Sequence, residues 1–413
     1  VVAAPDPRAS AGVEPPLSVN RKRLVTLLQC ALAAGLLAVV FLFLVQWKDI
    51  ARPRAVAGGP ALTGQIVGPE GHRPWEAPEV TLRVAREGPV PVNVVVKSAE
   101  FDVQPGMLTL AKHLDLRLWA AGAGLLLVGA YLAAVRWWLL VRVLSIPFTI
   151  GASLKWSFVA FFFNNVVPGL IGGDLPKMYF VARETDRKTH AVLSIVVDRI
   201  IGLLALGIVA GTAYLLDRGR YQTPELGLVG WFLAAVNAIL ILGLVVAASR
   251  RVRGFVLPAE RLAKLPGGKL VAKVDEALHL YSGRPGVLVV ALALSLSNHA
   301  LSMVAWWLFA KALGGLLTIG ACFVVVPVVQ MAKSAPIAPA GWGIGEGLFA
   351  KLLPLYGESA TLGVALSITY QLTYLLFSLA GGVILATLPA RDRVSSDEMQ
   401  RTLQSAELPT HPA

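Results

Sequence analysis

Residues 161–199 read FFFNNVVPGLIGGDLPKMYFVARETDRKTHAVLSIVVDR. The stretch opens apolar enough for a bilayer, then sets Asn164, Asn165, Pro168, Gly169, Gly172, Gly173 and Asp174 close together. Unpaired amides and carboxylates are costly in hydrocarbon, and proline and paired glycines interrupt the helical hydrogen-bond ladder. Broken backbone persists at membrane depth only where protein or a watery cavity covers it. The pattern predicts a helix–break–helix hairpin dipping into the membrane with a polar tip. Read alone, the same residues also fit an ordinary interfacial loop built from turn formers.

The rest of the chain favours the membrane reading. Of 413 residues 56% are apolar and only 15% charged, with a mean hydropathy of +0.67, whereas soluble domains carry roughly 25% charged residues. The net charge of +12 gathers in short segments flanking apolar runs, which is the positive-inside pattern rather than a nucleic-acid footprint. Cys30 and Cys322 lie far apart in apolar runs, so neither a disulfide framework nor a metal spacing is expected.

Residues 1–20 read as a disordered Pro/Ala-rich tail. Arg21, Lys22 and Arg23 lead into a first span at 21–46 and place the N-terminus in the cytoplasm. Residues 47–116 leave the membrane pattern. ALTGQIVG, EVTLRV and VNVVVKSAEF alternate or run β-branched between Pro and Gly, predicting strands of a small extracytoplasmic β-module. The transmembrane domain is expected over 117–390, with a cytoplasmic disordered tail at 391–413. Leu118–Leu140 spans, with Arg136 and Arg142 marking its cytoplasmic end and Trp137 and Trp138 suited to the interface. Basic residues follow the opening stretch too, so it enters and returns on one side. Crossings at Ala191–Leu216 and Leu226–Ala248 precede a basic cytoplasmic segment, Ser249–Arg284, which contains an amphipathic KLVAKVDEALHLY.

Pro285–Lys311 crosses outward, carrying Asn298 and His299 near its middle. A second broken stretch follows at 323–356, FVVVPVVQMAKSAPIAPAGWGIGEGLFAKLLPLY, before a last crossing at Leu362–Leu388. The predicted fold is an all-α polytopic membrane protein. It has about six full transmembrane helices and two opposed re-entrant hairpins, with both termini cytoplasmic. Hairpins on inverted half-repeats are a recurrent transporter plan, with the substrate site near the midplane. Hydropathy alone suggests the repeat; no clear identity between the halves is read.

Ionisable groups inside a membrane are functional candidates by default. Asp174 and Lys177 are three apart at one helix start and can pair or share a cavity. Asp198 and Arg199 sit within an apolar crossing, Lys333 precedes the second break, and Glu346 closes its glycine run. The expected substrate-binding set is Asn164, Asn165, Gly172, Gly173, Asp174, Lys177, Asp198, Arg199, Lys333, Gly343, Gly345 and Glu346. Arg199 or Lys177 would hold a lipid phosphate, and the carboxylates would take protons or position the cations. An internal ion pair such as Asp174 with Arg199, merely locking the bundle, is the competing role. His299 reads as a satisfied bundle histidine, and Trp306 and Trp307 as interface anchors. No cofactor and no metal are expected.

The same residues carry a family likeness. RWWLLVR, FFFNNVVPGLIGGDLPKMYFVARET, VVDRIIGLLAL and APIAPAGWGIGEG, in that order, resemble the lysylphosphatidylglycerol synthase transmembrane family of flippase-like proteins, over roughly residues 115–390. The asparagine–proline–GGD element falls on Asn165, Pro168, Gly172, Gly173 and Asp174, with Lys177 where arginine is commoner. The acidic–arginine pair falls on Asp198 and Arg199. The proline–glycine–glutamate element falls on Pro336, Pro339, Gly341, Gly343, Gly345 and Glu346, with Ala338 and Ala340 replacing the usual serine and glycine. The resemblance implies an inner-membrane protein that handles lipids, since this region is associated with moving aminoacylated phosphatidylglycerol between leaflets. The 23 residues after the last span are too few for a soluble aminoacyl-transfer domain, so synthesis by this chain alone is not expected.

The leading expectation is translocation of a phospholipid or lipid-linked anionic substrate, by a transporter rather than an enzyme. No phosphate-loop motif for ATP appears. Two alternatives stay open: a membrane-embedded transferase using Asp174 or Glu346 as base, and a scaffold subunit docking a protein partner through the β-module.

Overall fold

The structure, a computed structural model, describes residues 19–53, 62–69, 73–84, 91–166, 174–186, 188–217, 224–248, 281, 284–334 and 341–389. The two hairpin tips at 167–173 and 335–340, the amphipathic stretch within 249–280 and the two tails therefore lie outside the described residues.

Helix α1 (Val19–Val39) runs into a short π-helical turn, Val40–Leu44. A five-stranded antiparallel sheet follows, in the order β4-β3-β2-β1-β5. Its strands are β1 (Asp49–Pro53), β2 (Leu62–Gly68), β3 (Glu79–Val84), β4 (Val92–Lys97) and β5 (Phe101–Gln104). Strands β2 to β4 are the three that alternation predicts. The sequence reading does not predict β1 as a strand and treats β5 only as the tail of β4, because both are too short to show a period. Their mutual pairing, from Ile50↔Gln104 to Pro53↔Phe101, joins the first strand to the last.

The fastener beneath the sheet is Asp49. Its buried carboxylate accepts from the Ile66 and Gly106 amides, both at 2.6 Å, and from the Thr109 hydroxyl at 2.9 Å. It thereby ties β2 and helix α2 (Met107–Lys112) to β1. The inward residues Ala51, Ile66, Val80, Leu82 and Val96 share one core with Trp306, Phe309 and Leu313 of the helical domain. The sheet is thus docked on the helices, not tethered to them.

Helix α3 (Leu116–Val143) starts at Asp115, whose side chain accepts from the Arg117 and Leu118 amides. After it come α4 (Ile150–Val166), α5 (Asp174–Ala182), α6 (Lys188–Asp217) and α7 (Pro224–Ala248). The later helices are α8 (Pro285–Ala312), α9 (Ile319–Lys333), α10 (Ile344–Leu352) and α11 (Ala360–Ala386). Four of the described helices, α3, α6, α8 and α11, are long and apolar enough to cross a membrane. The protein is a mainly helical, multi-pass membrane protein.

Contrary to the reading from hydropathy, the halves do share sequence. At a spacing of 169 residues, Trp137-Trp138-Leu139 falls on Trp306-Trp307-Leu308 and Thr149-Ile150-Gly151-Ala152 on Thr318-Ile319-Gly320-Ala321. Past the breaks the spacing is 172, which sets Gly173-Asp174 on Gly345-Glu346. The elements follow suit. Helices α3 and α8 have 28 residues each, and α5 and α10 have nine each. Both WWL helices end in a turn with positive φ, at Ser145 (60°) and Gly314 (82°). Thr149 and Thr318 then accept the amides of Ala152 and Ala321, capping α4 and α9 alike.

The paired helices α3 and α8 run antiparallel, because Gly122 meets Phe309, Gly129 meets Asn298 and Arg136 meets Ser295. Gly129 and Asn298 are equivalent positions, so an approximate two-fold passes through that contact. A Cβ on Gly129 would lie 2.5 Å from Asn298 Oδ1, and one on Gly122 would lie 2.7 Å from the Phe309 ring. Small residues let these helices approach, as in many membrane bundles. Gly381 does the same for α11 against the Phe158 carbonyl of α4.

The sheet touches this framework at the α8–α9 turn. Trp75 packs over Gly314, and Arg73 Nη2 donates to the Gly315 carbonyl at 3.2 Å. Glu358, in the loop before α11, accepts from the Leu316 and Leu317 amides of the same turn. Burial pushes its carboxyl above the ordinary range, against the pull of those amides, Lys311 and Arg73.

Candidate functional site

Asp198 and Arg199 are consecutive on α6 and therefore point about 100° apart. They serve different partners. Arg199 grips Asp174, the first residue of α5, through two parallel bonds of 2.8 and 2.7 Å. Asp174 is nearly buried, while 57% of the Arg199 side chain stays exposed, leaving guanidinium N–H groups open to a further acceptor. Asp198 instead accepts from Arg136 Nε at 2.8 Å, and Arg136 Nη1 donates to Ser295 Oγ at 2.7 Å. His299 donates from Nε2 to the Gly202 carbonyl at 3.0 Å, the satisfied role expected of it.

Lys177 is one turn into α5. Among the described residues it makes no ion pair at contact distance. Its ammonium lies 4.9 Å from the centre of the Trp137 ring, within electrostatic reach of Asp174 and Asp198. The possible Asp174–Lys177 pair is therefore replaced by Asp174–Arg199. Three cations (Arg136, Lys177, Arg199) face two carboxylates here.

The second half answers with a different set. Glu346 is fully buried near the start of α10, accepting from the Gly343 amide at 2.7 Å and the Ser367 hydroxyl at 3.0 Å. The GWGIGEG glycines have a concrete task. A Cβ on Gly341 would strike the Lys333 stem at 2.8 Å, and one on Gly345 would come within 3.0 Å of it. Gly341 and Gly343 also hold φ of 70° and 82°, which side chains rarely adopt. Gly341 and Gly345 form a slot for Lys333, while Gly343 backs onto Ala33 and Leu36 of α1; the Lys333 ammonium sits 5.6 Å from the Tyr370 ring centre and within reach of Glu346. Lys333 too makes no contact ion pair among the described residues.

A row of polar aromatics lies between the two clusters. Tyr370 stacks on Trp306 at 4.2 Å, accepts from Gln330 at 3.3 Å and hydrogen-bonds with Tyr374. Tyr374 is within electrostatic reach of Arg199 and touches Phe161 of α4 edge-on at 5.3 Å. Tyr370 and Tyr374, hydrogen-bonded to each other, therefore lie near Lys333 and Arg199 respectively, the cations closest to Glu346 and Asp174.

Asn165 donates back to the Phe161 carbonyl, and Asn164 is exposed at the end of α4. Gly172 and Gly173 lie outside the described residues.

Three sequence expectations need correction. Arg136 does not mark a helix end at the interface; it is buried on Asp198. Trp137 and Trp306 are not interface anchors, being 0% and 1% exposed. They are equivalent residues, and among the described residues neither indole N–H finds an acceptor. Tyr370, Tyr374, Gln330 and Ser367 are not among the residues that the sequence singles out. The WWL repeat was the available signal for Trp137 and Trp306.

A family model described as "Lysylphosphatidylglycerol synthase TM region" matches residues 100–382. The chain belongs to that family. Its match begins in the turn just before β5 and ends in α11, so the lysylphosphatidylglycerol synthase TM region contains both clusters, while most of the sheet precedes it. No curated protein and no solved structure matches the chain.

Proposed function

We propose that the protein moves a phospholipid, or a lipid-linked substrate with an anionic headgroup, between leaflets of a bacterial-type inner membrane. In this reading six helices cross fully, the pairs α4–α5 and α9–α10 are hairpins entering from opposite sides, and the sheet is extracytoplasmic. Both termini are then cytoplasmic.

One observation carries the reading: each half presents a lysine to an aromatic face with no carboxylate in contact among the described residues. Lys177 rests on Trp137, and Lys333 on the Tyr370 that stacks upon Trp306. A cation in low dielectric without a counter-charge is expensive, and an anionic headgroup supplies that charge. The exposed Arg199 fork adds donors suited to phosphate oxygens.

The test is transbilayer movement of a headgroup-labelled phosphatidylglycerol in proteoliposomes. Arg199→Gln and Asp174→Asn are expected to abolish movement in protein that still folds. Unchanged movement in well-folded variants would refute the reading. A chemically altered headgroup, seen by mass spectrometry, would favour a transferase instead.

A further inference from the structure

A cleft of about 250 Å³ opens where the sheet meets the end of α1, far along the chain from both clusters. Its walls differ. Trp47 and Leu108 form an apolar side, while exposed Lys48, Arg83, Thr63 and Gln65 form a cationic and hydroxyl- or amide-bearing side. Strand register makes the second wall: Gln65 pairs with Arg83 across β2 and β3, and Thr63 and Gln65 project on one face. Asp49 in the floor is consumed by its three donors. Neither Lys48 nor Arg83 is held in an ion pair among the described residues.

The surroundings set the depth of the cleft. Leu42 and Phe43, just before it, are 75% and 79% exposed, and Leu116 at the start of α3 is 67% exposed. Bare leucine and phenylalanine at the ends of apolar helices mark the hydrocarbon edge. Trp47 stacks on Phe41 at 5.7 Å and donates its indole N–H to the Phe41 carbonyl, the posture of a belt tryptophan. Lys48 follows it in the chain, at the level where lipid phosphates lie.

We propose that this cleft seats the phosphodiester headgroup of an anionic phospholipid from the adjoining leaflet. The phosphate lies between Lys48 and Arg83, the glycerol oxygens face Thr63 and Gln65, and the acyl chains leave over Trp47 and Leu108. The site does not depend on translocation. Only its assignment to the outer leaflet rests on the topology proposed above.

The test places a photoreactive phenylalanine analogue at Thr63 in the full chain, reconstituted in phosphatidylglycerol or phosphatidylcholine vesicles, and counts lipid adducts by intact mass. The expected result is a phosphatidylglycerol adduct that falls about tenfold or more in Lys48→Glu/Arg83→Glu. That adduct should survive an excess of inorganic phosphate and persist in Arg199→Gln, even where movement is lost. The single changes Lys48→Gln and Arg83→Gln, which keep size and remove charge, guard against misfolding and should each lower the yield. Equal yields with the two lipids, an adduct indifferent to all these changes, or its abolition by inorganic phosphate would overturn the proposal.

Discussion

The two halves of the helical domain, α3–α6 and α8–α11, share lengths, turn geometry and the WWL and TIGA signatures. They fill equivalent positions with different chemistry. The first half is fastened by ion pairs: Arg136 to Asp198, and Arg199 to Asp174. At the 172-residue spacing Asp198 falls on Tyr370 and Arg199 on Gln371, so the second half is fastened by stacked rings and neutral hydrogen bonds. Common to both are a carboxylate near the start of α5 and of α10 and, at positions that are not equivalent (Lys177 on α5, Lys333 on α9), a lysine on an aromatic face. What differs mainly holds each half together, except that Arg199, with 57% of its side chain exposed beyond its bond to Asp174, is also placed to meet a headgroup.

That comparison breaks first, if anywhere, at Arg136. Arg136→Met leaves Asp198 buried without its partner, and such losses run to about 3–5 kcal/mol. Thermal unfolding in detergent should show a large drop, with much of it recovered in Arg136→Met/Asp198→Leu. A loss no greater than that of Ala305→Met, the equivalent site in the second half, would deny the first half its ionic fastening.

A smaller effect tests the two-fold itself. Gly122→Leu forces a side chain into the Phe309 ring, and overpacking of this kind costs about 1–3 kcal/mol. Ala291→Leu is its equivalent, in the buried cluster with Leu140, and should cost a similar amount. Strongly unequal losses would show that the contact around Gly129 and Asn298 is not an axis.

Next in size come the lysines. Lys177→Gln and Lys333→Gln are each expected to slow lipid movement about tenfold, or about 1.4 kcal/mol in barrier, with little change in melting temperature. Loss in one variant alone would split the halves into one working site and one structural relic.

The smallest effect concerns a loop carboxylate that falls on Asp186 at the 172-residue spacing, Glu358, just before α11. Because burial raises its pKa in the folded protein, the folded state holds a proton that the unfolded chain has released. Its contribution is present below the ordinary carboxyl range and fades as pH rises through the raised value. Glu358→Gln should therefore flatten the fall in melting temperature across weakly acid pH. An unchanged slope would mean that Glu358 is ionised throughout.

Much of this was legible in residue order. Alternation announced three strands, while the two interruptions expected from Asn, Pro and Gly fall at 167–173 and 335–340, outside the described residues. The sites were half legible. Asp174 with Arg199 was legible only as the competing bundle lock, beside an expected Asp174–Lys177 pairing, and Arg136 sat near other basic residues and resembled an interface marker. Only the antiparallel packing of α3 on α8 shows that it points inward. Tyr370 and Tyr374 carry no formal charge, so nothing in composition separated them from filler. The repeat was missed because its identities are few and its spacing shifts by three across the breaks.

The most direct measurement of the central claim is sided labelling of the two hairpin limbs. In protein whose Cys30 and Cys322 are replaced by serine and alanine, Asn164→Cys and Ser334→Cys are exposed in turn to a membrane-impermeant thiol reagent in oriented vesicles. Opposed hairpins predict that Asn164→Cys reacts from the cytoplasmic face only and Ser334→Cys from the outer face only. Labelling of both from one face would contradict the account.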